Sequence, residues 1–129
     1  MHHVRIYHYL TNNITKMDKI IFKVVKEFSR TPSARVAKEG RFPGTDLRSK
    51  ITPLIRKALQ DKKKFLIDLD GASGYGTSFL EEVFGGLIRE EHFKYKELVS
   101  CLEIKTDEEP ELEDEIWEYI KDARNEISN

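Results

Sequence analysis

Asp68, Asp70, Thr77 and Ser78 are the residues of this chain best placed to do chemistry. They bracket a loop with glycines at 71, 74 and 76, inside the stretch KKFLIDLDGASGYGTSFLEEVFGGLIREEHF. Carboxylates two residues apart project to one face of a continuing strand. There they can hold a divalent cation, orient a partner's basic group, or accept the backbone hydrogen bonds that shape the glycine loop. A cation of that kind takes about six or more oxygen ligands, so the pair names no metal site and none is expected. A hydroxyl in the first turn of a helix caps free N–H groups. It is equally a place where a phosphate meets those groups and the favourable end of the dipole, adding roughly two negative charges beside Asp68, Asp70 and Glu81. A nucleophile would need a base in reach, and His92 lies several helical turns further along, so no catalytic residue is assigned. The loop has neither GxGxxG spacing nor a Gly-Lys-Ser/Thr ending, which argues against nucleotide binding. No cofactor is expected.

These groups need a strand before them and a helix after them. Phe65–Leu69 is nearly continuous in apolar character, which predicts a central strand covered on both faces. Thr77 or Ser78 caps the following helix, Glu81 helps satisfy its first turn, and Phe79, Leu80, Val83, Phe84, Leu87 and Ile88 form its inward stripe. Gly85 and Gly86 lower helix propensity and allow close approach of another backbone. Tyr75, between two glycines, is read as an exposed loop-tip aromatic of the kind that anchors interfaces. With Phe79, Glu82, Asp68 and Asp70 it makes the partner-binding set. Elsewhere, Ile20–Val25 predicts a strand, Ala34–Lys38 a second short one, and LVSCLEI a further one. A helix capped by Thr45 or Asp46 runs to about Gln60, with Pro53 either kinking it or marking a restart near Thr52. Glu111–Ile127 predicts a last amphipathic helix facing the sheet with Leu112, Ile116, Trp117, Ile120 and Ala123, while Tyr119 is partly exposed. Strands alternating with helices give an α/β class with short crossovers. Residues 1–16 stand apart from 17–129 as an extension or an extra strand, with Met17 as a candidate start.

The chain has 129 residues, 39% of them hydrophobic and a net charge of −1. That length suits one core, and no run approaches the ~18 apolar residues that cross a membrane. The start MHHVRIYHYLTNN lacks the form of a secretory signal. One cysteine, Cys101, suits a reducing, cytoplasmic setting and reads as a buried small hydrophobe. The middle of the chain is basic, at Arg48, Lys50, Arg56, Lys57 and Lys62–Lys64, whereas Asp107–Glu118 holds eight acidic residues and no basic one. Overall balance argues against a nucleic-acid partner. The segregation suits a homodimer or plain surface charge.

The segment IDLDGASGYGTSFLEEVFGGLIR, with FSRTP, Arg35, Glu39–Gly40, FPG and Arg48 upstream, resembles the STAS-like domain family of bacterial proteins, related in architecture to anti-sigma factor antagonists. The resemblance runs from about Met17 to Lys105. It implies a STAS-like layered fold, a mixed sheet of about four to five strands packed with three to four helices. In the related antagonist domains a serine at the strand-to-helix junction is phosphorylated by a partner of the histidine-kinase-like ATPase superfamily, and the dephosphorylated domain binds that partner. Carried over, Ser78 matches that serine, with Thr77 beside it. The related domains place an aspartate before the serine pair and a glycine after it, whereas here Gly76 precedes and Phe79 follows. Arg35, Glu39 and Arg48 are the polar residues of the upstream signature. An arginine fork near Asp68 or Asp70 would bind a carboxylate or phosphate, or lock the loop by a salt bridge. The implied function is a non-enzymatic, phosphorylation-switched protein-binding module. The alternatives are a constitutive adaptor or homodimer subunit, and a small hydrolase or transferase using Asp68 and Asp70.

Overall fold

The apolar run from Phe65 sets the centre of the fold. In a computed structural model, which describes residues 18–128, strand β2 (Lys64–Asp68) lies between β1 (Lys19–Lys23) and β3 (Leu102–Lys105). Both pairings are parallel. The register aligns Ile20 with Phe65 and Leu102, and Phe22 with Ile67 and Ile104. Aligned residues of neighbouring strands share a face, and five of these six are buried, with Ile20 partly so. The candidate extension 1–16 and Met17 lie outside the described residues.

Strand order follows chain order, so both crossovers step the same way across the sheet. Right-handed connections then place their helices on one face. The other face carries Lys19, Ile21, Leu66 and Glu103, with Ile21 half exposed and Lys19 bridging to Glu103 at 3.0 Å. Among the described residues the central strand is therefore covered on one face, not both. Among the described strands the order has no reversal, and so no switch point of the kind where α/β sheets open a ligand crevice.

Three strands, all parallel, replace the mixed sheet of four to five among the described residues. Residues 34–38 form no strand, because their backbone groups bond locally. Gly44 N–H donates to the Ala34 carbonyl (2.7 Å) and Thr45 N–H to that of Arg35 (3.2 Å), and Ala37–Glu39 is one 3₁₀ turn. β1 stops at Lys23 and Val24 opens a short helix, α1 (Val24–Glu27), whose Glu27 carboxylate accepts the Lys23 N–H at 2.7 Å.

Helix α2 (Gly44–Gln60) keeps its expected span with Leu47, Ile51, Ile55 and Ala58 buried. Its cap is Pro43, without a side-chain cap, so Thr45 and Asp46 lie within the first turn instead. A Cβ on Gly44 would lie 2.9 Å from the Phe79 carbonyl, so glycine lets α2 approach the next helix closely. The helix runs unbroken through Pro53, which lacks an N–H for the Ser49 carbonyl, and both residues are exposed.

After β2 comes one continuous helical run: α3 (Thr77–Leu80), a wide π-turn (Glu81–Gly85) and α4 (Gly86–Arg89). Its six apolar stripe residues are all buried, as the periodicity predicts. α5 (Tyr95–Cys101) takes the first half of LVSCLEI, and β3 begins only at Leu102. Leu98 and Cys101 are buried while Val99 and Ser100 are exposed, a helical spacing in a run too short to betray it. α6 (Glu111–Ser128) buries Leu112, Ile116, Ile120 and Ala123, and it packs chiefly on the π-turn and α4 rather than on the sheet. Trp117 is partly buried, edge-on to Tyr95 with ring centres 6.3 Å apart. No helix among the described residues is long and apolar enough to cross a membrane.

Candidate functional site

Beyond β2 the chain is fastened into a fixed loop. Asp68 Oδ1 accepts the Asp70 N–H at 3.0 Å. Asp70 in turn accepts from Lys105 Nζ (2.8 Å) and from the N–H groups of Asp107 (3.1 Å) and Glu108 (3.0 Å). Glu108 reaches back to the Gly71 N–H at 3.0 Å, and Tyr75 donates its hydroxyl to the Leu69 carbonyl at 2.7 Å. Gly71 has φ +91°, a left-handed conformation that suits glycine, and its Cα faces Val25 closely. Both carboxylates are thus gathered around one ammonium, with Lys105 4.0 Å from Asp68 and 2.9 Å from Asp107.

The electrostatics follow from these partners. Burial pushes the Asp70 carboxyl up, but the Glu108 N–H, Lys105 and the Asp107 N–H outweigh it and hold the group below the usual carboxylate range. The Lys105 ammonium is raised by its hydrogen bonds to Asp70 and Asp107. Tyr75 is raised by burial first and by the charges of Asp68 and Asp70 second. Asp70 uses both oxygens on protein donors, so it orders the loop. No group of three or more His, Cys, Asp or Glu among the described residues is arranged to hold a metal.

Thr77 and Ser78 are exposed, and the cap position belongs to Gly76 with no side-chain bond. The expected capping by either hydroxyl does not occur. Phe79 is fully buried, packed between the tilted rings of Phe28 (6.3 Å) and Tyr75 (6.0 Å), so it is a core residue and presents no docking face. Tyr75 is partly buried against the core rather than exposed at a tip.

The upstream polar residues go elsewhere. Arg35 Nη1 donates to Glu81 at 2.7 Å, and Arg89 grips the same carboxylate at 2.8 and 3.2 Å. Burial pushes Glu81 up, yet the hydrogen bonds from Arg89 and Arg35 win and hold it below its ordinary value. Glu81 therefore serves the arginines and not the first turn of α3. Arg48 Nη1 donates to the Glu82 carbonyl (2.6 Å) and carboxylate (3.0 Å), while its Nε donates to Glu91 at 3.0 Å. Arg48 and Glu82 are only 11% and 12% exposed, so Glu82, expected as a partner contact, is largely committed to Arg48 within the fold. Neither arginine is bonded to Asp68 or Asp70, where Lys105 supplies the cation. Glu39 is exposed on its 3₁₀ turn. A cleft of about 470 Å³ opens over the network, edged by Tyr119, Asp122 and Glu126, and its arginines are already paired.

The glycine pair has a different purpose from the one expected. A Cβ on Gly86 would lie 2.4 Å from Arg48 Nη1, and one on Gly85 2.4 Å from Glu81 Oε2. The missing side chains make room for the ion-pair network, not for a neighbouring backbone. Sequence reasoning misses Lys105 as the partner of Asp68 and Asp70, and misses the separate set in which Arg35, Arg48 and Arg89 meet Glu81, Glu82 and Glu91, because most of these partners lie far apart in sequence. The one local signal was the pair of glycines beside two glutamates and an arginine. Cys101 is buried, with its thiol pushed up by that burial.

A family model described as the STAS-like domain of unknown function (DUF4325) matches residues 44–111. The span covers α2 to the start of α6, including β2, the glycine loop and both hydroxyls. Arg35 and Glu39–Gly40 precede it. No curated protein and no solved structure matches the chain.

Proposed function

The chain belongs to the family of STAS-like domains of unknown function (DUF4325), and from that premise we propose that it is a non-enzymatic regulatory module. It binds a protein partner through the end of β2 and the start of α3. Phosphorylation of Ser78 or Thr77 by that partner, a histidine-kinase-like ATPase, dissolves the complex. One observation carries this reading: both hydroxyls are exposed and free of capping, on a junction whose other polar groups are tied down. A phosphoacceptor must be reachable, and its surroundings must keep their shape when it is read. Charge sets the direction of the switch. One ammonium there sits among three carboxylates, so a phosphate of roughly two negative charges adds to an acidic surface and repels an acidic or apolar partner.

The test uses protein recovered from its source cells, as wild type, Ser78→Ala, Thr77→Ala and Ser78→Glu. Intact mass should show an added phosphate that one alanine variant lacks. Wild type should retain an ATPase that Ser78→Glu loses. Absence of phosphate together with identical partners for all four proteins would refute the switch. The adaptor or homodimer reading draws on the sheet face that no described helix covers, with its half-exposed Ile21, unusual for a parallel sheet. It predicts a complex indifferent to Ser78→Glu.

A further inference from the structure

A second surface lies at the other end of the molecule. The helical run 77–89 starts at the C-terminal end of β2 and so ends near the opposite edge of the sheet, where the α4–α5 connection meets the last turn of α6. A groove of about 450 Å³ opens there. Its floor is apolar, formed by Phe93, Tyr95 and Ile127, and its rim is basic, formed by Lys94, Lys96 and Arg124. No carboxylate lines it.

The walls are held in place before anything binds. Phe93 is buried, Tyr95 packs edge-on against Trp117, and the Arg124 guanidinium sits 4.3 Å from the centre of the Tyr95 ring. That stacking fixes a charge that would otherwise swing freely. Ile127 is 57% exposed, one of the large hydrophobic residues the described fold leaves open to solvent. An apolar floor with convergent polar groups at its edge is the usual form of a binding site. A rim of one sign selects the opposite charge.

We propose that this groove docks an acidic peptide segment of a partner protein, one that places a Leu or Phe side chain on Ile127, Phe93 and Tyr95 and its carboxylates against Lys94, Lys96 and Arg124. An anionic membrane would also attract a basic rim. However, the apolar side chains line a groove of about 450 Å³, and such a concavity admits a narrow segment more readily than a flat anionic surface. The site is independent of Ser78 and Thr77, so each can fail without the other.

The probe is a fluorescein-labelled peptide in which Leu and Phe alternate with Glu and Asp, read by fluorescence anisotropy against the full chain. Controls are the same peptide with Gln and Asn for the acids, and phosphatidylserine vesicles. Lys96→Glu and Ile127→Asp alter exposed side chains, so circular dichroism should match wild type. Each should weaken the acidic peptide at least about ten-fold, the amide peptide should fail to bind, and amide chemical shifts should move around Ile88, Tyr95 and Ile127. No binding of the acidic peptide, equal binding by both variants, or binding to vesicles in place of the peptide overturns the proposal.

Discussion

Gly86→Ala should destabilise this protein, although the same change in an ordinary helix stabilises it. Alanine is preferred over glycine inside a helix by about 1 kcal/mol. Here the added Cβ would fall 2.4, 2.9 and 3.0 Å from three atoms of the Arg48 side chain. A free arginine would swing aside at little cost, but this one is 11% exposed and bonded to the Glu82 carbonyl, the Glu82 carboxylate and Glu91. Hydrogen bonds to charged groups contribute about 1.5–3 kcal/mol each, and stripping a partner from a buried pair costs about 3–5 kcal/mol. Partial displacement of Arg48 should therefore outweigh the helix gain, for a net loss of about 1–3 kcal/mol. In urea, with a slope near 2 kcal/mol per molar, the midpoint should fall by roughly 0.5–1.5 M. The deciding experiment adds Arg48→Ala, which by itself should cost about 3 kcal/mol or more. With Arg48 truncated, the Cβ has space, and Gly86→Ala should turn stabilising by up to about 1 kcal/mol. That reversal means a coupling of about 2–4 kcal/mol. If Gly86→Ala stabilises wild type, or the two changes add within about 0.5 kcal/mol, the glycine does not serve Arg48 and the reasoning fails.

Two further outcomes follow from the same structure. Glu81 and Asp70 have folded-state pKa values lowered from 4.5 and 3.8, so the stability they contribute is fully present above those values and is lost as pH falls through the lower folded ones. Urea midpoints should be flat near neutrality and drop below about pH 4, and Glu81→Gln should shrink that drop; an unchanged acid limb would exclude the network as its source. Lys62 closes α2 with φ +56°, where Lys63 N–H bonds back to the Ala58 carbonyl at 2.7 Å. Lys62→Gly should relieve that left-handed strain and raise stability by up to about 1 kcal/mol, and a lower thermal midpoint would contradict it.

Sequence carries the parts of this fold in which one local pattern suffices. Phe65 and Ile67 announce the central strand, the spacing of Leu47, Ile51, Ile55 and Ala58 announces α2, and Leu112, Ile116, Ile120 and Ala123 announce α6. It misleads where tertiary contacts overrule propensity. Val24 and Val25 are β-branched, yet Glu27 folds back on Lys23 and turns them helical. It is silent where partners are distant. Arg35 meets Glu81 and Arg48 meets Glu91 across 46 and 43 residues, so both arginines stood out as polar positions without destinations. At the candidate site the hydroxyls and carboxylates are where the strand–loop–helix pattern puts them. Lys105, which binds the two acids together, arrives from another strand and is visible only once β3 is paired with β2.

The wide turn at Glu81–Gly85 constrains how this chain can vary in length. Each residue rotates a helix by about 100°, and a π-turn absorbs one residue more than the α-helical path would. Remove a residue there, and the turn closes to a plain α-helix that leaves Leu87, Ile88 and Arg89 in phase with α3. Remove one from a helix without such a turn, such as α2, and every side chain beyond the cut is rotated by about that angle. The segment between Leu80 and Leu87 is therefore where this helical run can give up one residue and still keep both of its buried faces. The stretches at 29–43 and 106–110 carry no such phase and are held by contacts instead, Arg35 to Glu81 and the Asp107 and Glu108 N–H groups to Asp70.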